Sequence, residues 1–368
     1  MFARQPDSYP YYYMSIDFTV ILPQATTVTL DLKKGWNWVS PAIAADCSIS
    51  AADYIAAIGT SSVACLRSQT QELRNDDAQG LVGDLTALMP AEGYKVLMRK
   101  DSKVVRQGIA LPVNTVISTK LDDWSWIGYI PPVPLPINIA LENRGNTGNR
   151  LVGRDSFAYR YNLRWHPEDF IMKPGEAYMY YSTIWDRHFI YPTDYDESAV
   201  GISDGGTSQP IQTSWNYDVY AYPDNLTMIC QLDPQQTVIS EQEPLVGAFV
   251  GDECRGIGRW VEGYLFLTVH GTLGQGETVT LQALDAATGT IQPVRETFAF
   301  DADFYGGMEA PVILHFGADD SSVSPIHSDG TTTQRIFSVS GVPQRQLRPG
   351  VNIIMRPDGI YVKRWLSK

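Results

Sequence analysis

Two tryptophan pairs of the form Trp-x-Trp lie 88 positions apart in this chain. The first pair is in GWNWVS (Gly35–Ser40) and the second is in DWSWIG (Asp123–Gly128). The similarity continues downstream, where MPAEGYKVLM (Met89–Met98) aligns with KPGEAYMYYS (Lys173–Ser182) at an offset of 84. Self-similarity at a fixed period predicts one structural unit that is used twice. The change from 88 to 84 places a four-residue length difference between the two anchors, which we expect in a loop.

Each copy has the same predicted order of elements. The strand with the tryptophans precedes a short helix, SISAADYIAAIG in the first copy and PINIALENRG in the second. Ser50 is a typical N-cap, with Asp53 three positions later, and Gly145 is able to adopt the left-handed conformation that ends helices. Further strands and a Pro/Gly turn complete the unit. We therefore expect a small, mostly antiparallel α+β repeat at residues 26–110 and again at residues 111–195.

The tryptophans of each pair share one face of their strand. Side chains two positions apart on a strand point the same way, so Trp36 lies beside Trp38, and Trp124 lies beside Trp126. A buried indole removes about 150–250 Å² from water, and a unit of this size needs such rings to complete a core. We therefore expect core positions. The alternative is a carbohydrate-binding module in which these four rings stack on a sugar.

The motifs of the repeat resemble those of a known group of proteins. LKKGWNWVS, LRSQT and GDLTALMPAEGYKVLM resemble the GWNLIS-type repeats of large bacterial surface and secreted proteins, and the doubled, tryptophan-rich form is similar to repeats in exported proteins of the Bacteroidetes. The resemblance covers residues 28–192 and implies accessory modules without catalysis. Asp123 replaces the glycine of GWNW in the second copy, so we expect a different turn before that strand.

A third module follows a polar linker at residues 196–216. Short alternating segments with turn residues between them predict a β-sandwich at residues 217–317. We expect this sandwich to be Ig-like. The stretch that begins GAFVGDECRG also resembles β-modules of secreted Bacteroidetes proteins. The predicted strands are DVYAYP, LTMICQLD, PLVGAFVG, YLFLTVHG, ETVTLQALD, RETFAFDAD and PVILHFG. The whole chain is therefore predicted to be mainly β with minor α.

The C-terminal segment differs from the rest in charge. After a linker at residues 318–330, residues 331–368 carry a net charge of +6, whereas the other 330 residues sum to −19. FSVSG, RPGVNII and DGIYVK resemble the C-terminal sorting signal of type IX secretion cargo, which implies contact with that secretion machinery. The alternative is a three-stranded extension of the sandwich. Residues 1–25 have the character of the end of a preceding segment.

Charge and hydropathy exclude two classes of partner from the prediction. The net charge of −13 argues against nucleic acid, whose binding depends on neutralising phosphates with Lys and Arg. The sequence lacks an apolar run near the ~20 residues of a membrane span. We therefore expect neither nucleic acid nor a membrane span.

Sequence motifs of common enzymes are absent. The chain has no H-E-x-x-H, G-x-S-x-G, Walker or dinucleotide-binding motif, so we expect a protein that is not an enzyme and has no cofactor. Loop carboxylates leave calcium as an alternative, with solvated turn residues as the simpler interpretation. His270, at a strand end, is expected to be structural. The candidate calcium ligands are Asp252, Glu253, Asp285, Asp301 and Asp303.

The four cysteines allow two interpretations. Cys47 and Cys65 flank the first helix, and Cys230 and Cys254 lie in the third module. Two local disulfides would suit an exported protein, whereas four buried thiols are equally compatible with the spacing.

These observations together predict a non-catalytic secreted or cell-surface modular protein with an adhesion, stalk or interaction role. Its partner would be a protein or a glycan at the cell surface. The alternative is the C-terminal accessory region of a secreted hydrolase.

Overall fold

The fold is mainly β with little helix, as the sequence predicted. None of the helices in the described part of the chain has the length and apolar character needed to cross a membrane. Except for Ala25, Thr213, Trp215 and Asn216, the predicted segments 1–25, 196–216 and 318–330 lie outside the described residues. The computed structural model describes residues 25–41, 43–44, 49–142, 144–183, 188–194, 213, 215–234, 243–301, 303–317, 335–338, 343–344, 350–355 and 361–366.

The first repeat is built around a five-stranded antiparallel sheet with a helix on one face. Its elements are β1 (Ala25–Leu32), β2 (Gly35–Val39), β3 (Ile43–Ala44), β4 (Ile49–Ser50), α1 (Ala51–Ile58), β5 (Val63–Arg67), β6 (Glu72–Asp76), β7 (Gly80–Gly83), β8 (Ala87–Leu88), β9 (Tyr94–Met98) and β10 (Ser102–Ala110). The sheet order is β2-β9-β5-β6-β7, while β10 pairs with β1 and β3, and β4 pairs with β8.

The second repeat has the same topology. Its elements are β11 (Ile117–Ser118), β12 (Asp123–Gly128), β13 (Leu135–Pro136), α2 (Ile137–Ala140), β14 (Arg150–Val152), β15 (Phe157–Tyr161), β16 (Arg164–His166), β17 (Ile171–Met172), β18 (Ala177–Ser182) and β19 (His188–Phe189). The sheet order β12-β18-β14-β15-β16 matches the first repeat strand for strand, and the pairs β13-β17 and β11-β19 match β4-β8 and β1-β10. The two copies seen in the sequence therefore fold alike.

The two helices differ in length. Ser50 caps α1 as predicted, since its side chain accepts a hydrogen bond from the Asp53 N–H at 3.3 Å. Helix α2 is a single turn that ends before Leu141, so Gly145 does not end it, although Gly145 has a left-handed φ of +87°. At Leu141 the backbone has left the helical conformation, with φ −126° and ψ +37°, and the Leu141 carbonyl accepts the Nε1–H of the buried Trp165 at 3.3 Å.

The turn before the tryptophan strand also differs, as the Gly-to-Asp change predicted. In the first repeat the left-handed residue is Gly35, with φ +99°, whereas in the second it is Asp122, with φ +50°. The equivalent of Gly35 is Asp123, so the turn has shifted by one position. A short polar side chain tolerates this conformation better than most residues do.

The third module contains two β-sheets packed face to face. Their inner faces carry a continuous apolar core that includes Leu226, Val246, Leu267 and Leu281. One sheet has the order β23-β24-β20-β27, with β28 also beside β20, and the other has the order β22-β21-β25-β26. The strands are β20 (Asp224–Leu232), β21 (Leu245–Val250), β22 (Glu253–Ile257), β23 (Arg259–Val261), β24 (Tyr264–Gly271), β25 (Thr278–Leu284), β26 (Ile291–Ala299), β27 (Phe304–Tyr305) and β28 (Val312–Leu314).

One predicted strand of this module is wrong. DVYAYP forms turns rather than a strand. The cause is local, because the Asp218 carboxylate accepts the Tyr220 N–H at 2.9 Å and the Asp218 carbonyl accepts the Ala221 N–H at 3.1 Å. An Asp that bonds to the backbone two residues later favours a turn over a ladder.

The described tail strands form a four-stranded sheet with the order β30-β29-β31-β32. The antiparallel pairings of β29 with β31 and of β31 with β32 join three strands, and the two-residue strand β30 is added at the edge beside β29. The strands are β29 (Arg335–Ser338), β30 (Pro343–Gln344), β31 (Gly350–Met355) and β32 (Tyr361–Leu366).

The cysteines in the described part of the chain are buried free thiols. Cys65, Cys230 and Cys254 are all unpaired, so of the two interpretations that the sequence allowed, the structure favours buried thiols over local disulfides. Burial raises the pKa of Cys65 to about 11 and raises that of Cys230 further. Cys47 lies outside the described residues.

Candidate functional site

The Trp-x-Trp pairs lie on the face of each sheet that is turned away from the helix. On β2, Val39 joins the core beneath α1, while Trp38 belongs to a different cluster. On β12, Ile127 joins the core of the second repeat, while Trp126 packs against the cluster that contains Trp38. Trp124 and Trp126 therefore share a face, and the core that they and Trp38 complete is not the core of their own repeat. Alternation fixes which residues share a face, not which face meets the helix.

The cluster around Trp38 joins all three modules, and we call it the module junction. Trp38 is 6% exposed, and Trp36, Trp124 and Trp126 are half-buried. The buried members are Trp38 from the first repeat, Val152, Phe157, Tyr159, Ala177 and Met179 from the second, and Ile229, Phe266 and Met308 from the third module.

A buried lysine lies at the centre of the module junction. Lys95 pairs with Trp38 across β2 and β9, and its Nζ lies 4.5 Å from the Trp38 ring centre and 4.6 Å from that of Trp126. The same Nζ donates to the Pro223 carbonyl at 2.6 Å and lies 3.1 Å from Asp224 Oδ1. One ammonium group therefore contacts both repeats and the third module.

The electrostatics of this site are those of a cation removed from water. Lys95 is 2% exposed, and burial lowers its pKa to about 8, while the Asp224 carboxylate acts in the opposite direction. Aromatic faces and a carboxylate compensate for part of the lost hydration.

The two repeats are related by an approximate two-fold axis at this site. The Ser40 N–H donates to the Gly175 carbonyl at 2.8 Å, and the equivalent Gly128 N–H donates to the equivalent Ala91 carbonyl at 2.9 Å. The bridges Val39 to Glu176 and Glu92 to Ile127 are reciprocal in the same way. Such reciprocity is typical of an isologous dimer interface, here formed within one chain.

Trp124 is fixed by the third module. Its Nε1–H donates to Asp303 Oδ1 at 3.2 Å, and its ring meets Phe304 edge-on with centroids 6.4 Å apart. Burial raises the pKa of Asp303, against the opposing effects of the Trp124 hydrogen bond and the Arg150 charge.

Arg150 is a second buried cation between the second repeat and the third module. Its guanidinium lies 3.9 Å from the Phe304 ring centre and donates to the Gly306 carbonyl. Nearby, the Tyr159 hydroxyl donates to Glu309 at 2.6 Å. These contacts attach the third module to the sheet face of the second repeat.

Trp36 is held mainly through its backbone. Its N–H donates to the Tyr220 carbonyl at 2.7 Å, and Arg67 lies 5.7 Å above its ring. Its equivalent in the second repeat, Trp124, instead lies against Asp303 and Phe304.

The axis also relates two grooves between the repeats. The first groove has a volume of about 710 Å³ and is lined by the Ser68–Gln71 turn, by Ala87 and Met89, and by Trp126 of the second repeat. The second groove has a volume of about 500 Å³. It is lined by the equivalent positions with the repeats exchanged, including Ser156 and Lys173 of the second repeat and Trp38 of the first. We refer to them as the Trp126 groove and the Trp38 groove.

The carboxylates proposed as calcium ligands lie apart. Asp285 caps its own turn by accepting the Ala287 N–H at 2.8 Å, Glu253 lies 3.1 Å from Arg255, and Asp303 accepts from Trp124. Asp252 is exposed in a turn, and Asp301 is 3.4 Å from the Tyr305 hydroxyl. Among the described residues, three or more His, Cys, Asp or Glu side chains do not converge anywhere as a metal site would require.

His270 has a structural environment. Its Nδ1 lies 3.1 Å from Asn225 Oδ1, and the Asn225 amide donates to the Gly153 and Arg154 carbonyls of the second repeat. Burial lowers the pKa of His270 to about 4, so the ring is neutral near pH 7.

Sequence reasoning missed Lys95 and Arg150. A signal for Lys95 was present, because it stands between Tyr94 and Val96 in an otherwise apolar strand where the second copy has Met179. A charge at a position that is apolar in the matching repeat marks a residue with a specific partner.

No protein-family model, curated protein or solved structure matches the chain.

Proposed function

We propose that this chain is a non-catalytic interaction protein, secreted or displayed at the cell surface, whose three packed modules form one binding platform. The observation that carries the proposal is the module junction, where Lys95 contacts both repeats and the third module at once. A protein that works by presenting surfaces gains from modules held in fixed relation, because pre-organisation lowers the entropic cost of binding.

Three of the buried ionisable groups support this role. Lys95 contacts Asp224, Arg150 contacts Gly306, and His270 contacts Asn225, which itself binds the second repeat. In each case the group serves a contact between modules or supports one.

The tail supports export by a type IX-like route. Its resemblance to a sorting signal, its positive charge and its own four-stranded sheet fit a separable C-terminal element. In this proposal the tail contacts the secretion machinery and the platform contacts a partner outside the cell.

The export proposal is tested in a bacterium that has a type IX system. The full chain and a chain ending at residue 330 are expressed with the same epitope tag, and surface exposure is measured by antibody labelling of intact cells and by protease accessibility. We expect surface signal only for the full chain, and only in a strain with an intact translocon. Equal surface signal with and without the tail, or signal in the translocon-deficient strain, would contradict the route.

A second candidate function is carbohydrate binding through the tryptophan pairs. Trp126 favours it, because this half-buried ring also lines an open groove.

A further inference from the structure

The two grooves between the repeats share one geometry but have different linings. The Trp38 groove is lined by seven charged residues, whereas the Trp126 groove is lined by two, Glu92 and Lys120. Those seven are Asp31, Arg154, Asp155, Asp169, Lys173, Glu176 and Arg259. Equivalent positions explain the difference, since Lys173 of the charged groove corresponds to Met89 of the neutral one.

The third module restricts the charged groove. Arg259 of β23 pairs with Asp169 at 2.6 Å, and both residues line that groove. The lining of the Trp126 groove comes entirely from the two repeats. The neutral groove is therefore the one that the third module leaves open.

The wall of the Trp126 groove is pre-formed by its own hydrogen bonds. Ser68 Oγ accepts the N–H groups of Thr70 and Gln71 at 3.3 and 2.9 Å, which closes the turn. Gln69 ties the turn to the second repeat, since its side-chain amide donates to the Trp124 carbonyl at 2.8 Å. Thr70 is exposed at the tip of this turn.

One aromatic ring and several hydroxyl-bearing residues line the same space. Trp126 is half-buried, and one of its faces is covered by the Lys95 ammonium. Thr70, Thr115 and Ser118 lie around the groove together with the exposed side chain of Met89. An apolar ring among neutral donors and acceptors complements the apolar CH face and the hydroxyl rim of a sugar.

We propose that the Trp126 groove binds an uncharged oligosaccharide. This inference rests on the proposed interaction function and names its ligand class. The net charge of −13 disfavours anionic glycans, and a volume of about 710 Å³ lies within the range of small-ligand sites. One common way to bind an extended peptide is to add it as a strand to an exposed sheet edge, whereas the Thr70 and Gln71 N–H groups at this groove already donate to Ser68 Oγ.

The test is calorimetry of the purified full chain with neutral hexasaccharides of the cello, xylo, manno, malto and chito series. The blocking variant is Ala87→Arg, because Ala87 is an exposed residue of the groove wall whose replacement extends into the groove. The matched control is Ser156→Arg, at an exposed position of the Trp38 groove. Urea unfolding of both variants verifies that they fold.

We expect at least one neutral hexasaccharide to bind, Ala87→Arg to weaken binding at least about tenfold, or about 1.4 kcal/mol, and Ser156→Arg to leave it within about twofold. Absence of binding to every neutral sugar, equal binding by Ala87→Arg, or binding of an extended peptide in place of sugars would overturn the assignment. Because the purified chain needs no export, a negative result here is distinct from failure of the tail-dependent export assay.

Discussion

Lys95 and Met179 occupy equivalent positions in the two repeats, Lys95 opposite Trp38 and Met179 opposite Trp126. Of these two residues Lys95 alone carries a charge, and Oδ1 of Asp224 in the third module lies 3.1 Å from its Nζ. The third module packs on the apolar outer face of the second repeat, so the axis that relates the repeats does not extend to it. This substitution is therefore one of the differences between the copies that distinguish their outer faces.

Replacing Lys95 by methionine, the residue of the second copy, is expected to destabilise the protein by about 3 kcal/mol. The change leaves Asp224 and the Pro223 carbonyl without their ammonium partner. The free energy of unfolding is measured in urea. The control is Lys33→Met, because Lys33 forms an exposed ion pair with Asp101, which we expect to contribute less than about 1 kcal/mol. Equal losses of unfolding free energy in the two variants would contradict the role of Lys95 in the module junction.

The stabilising effect of Lys95 is expected to grow as the pH rises above about 8. The unfolded chain keeps the Lys95 proton up to its ordinary pKa of 10.5, whereas the folded chain keeps it only up to about 8. Between these values the unfolded state binds more protons, so this group adds stability as pH increases. The stability difference between the parent chain and Lys95→Met, measured near pH 7.5, 8.5 and 9.5, should therefore widen. A constant or narrowing difference would show that the pKa is not lowered.

Trp124→Phe is expected to cost about 1–2 kcal/mol more than Trp36→Phe. Both changes replace an equivalent indole by a smaller ring, but only Trp124 loses a hydrogen bond to a carboxylate, that of the half-buried Asp303. Thermal and urea unfolding of the two variants give the comparison. Similar losses at the two sites would argue that the third module does not hold Trp124.

Gly35→Ala is expected to destabilise the protein by more than about 2 kcal/mol. A Cβ at this position would overlap the Tyr220 carbonyl oxygen, in a backbone conformation with φ +99°. Gly80→Ala is the matched control, since the φ of Gly80 is +77° but the space around it is open. This variant should lose only about 1 kcal/mol, the cost of a left-handed backbone for a residue with a Cβ. If both variants lose the same amount, close packing against Tyr220 is not what constrains Gly35.

The thiols of Cys65, Cys230 and Cys254 are expected to resist alkylation in the folded protein and to react after unfolding without reductant. All three are buried and unpaired, and burial raises their pKa values, which keeps the reactive thiolate scarce. Iodoacetamide labelling followed by peptide mass mapping identifies each residue. A peptide that stays unlabelled after unfolding would reveal a disulfide.

The sequence by itself determined the repeat and much of its local structure. The offsets of 88 and 84 identified two copies, and their sheets have the same strand order. Ser50 was identifiable as a helix cap because capping depends on residues three positions apart. The paired tryptophans were predictable as neighbours on a face because a strand has a period of two.

Only the tertiary structure decided what those faces meet. The ammonium of Lys95 donates a hydrogen bond to Asp224, 129 positions along the chain, and the Trp124 indole donates one to Asp303, 179 positions away. Periodicity encodes the relative direction of side chains within an element, but it carries no information about which surface packs against that element. The module junction follows from shape and charge complementarity between distant surfaces, and these exist only once each module has folded.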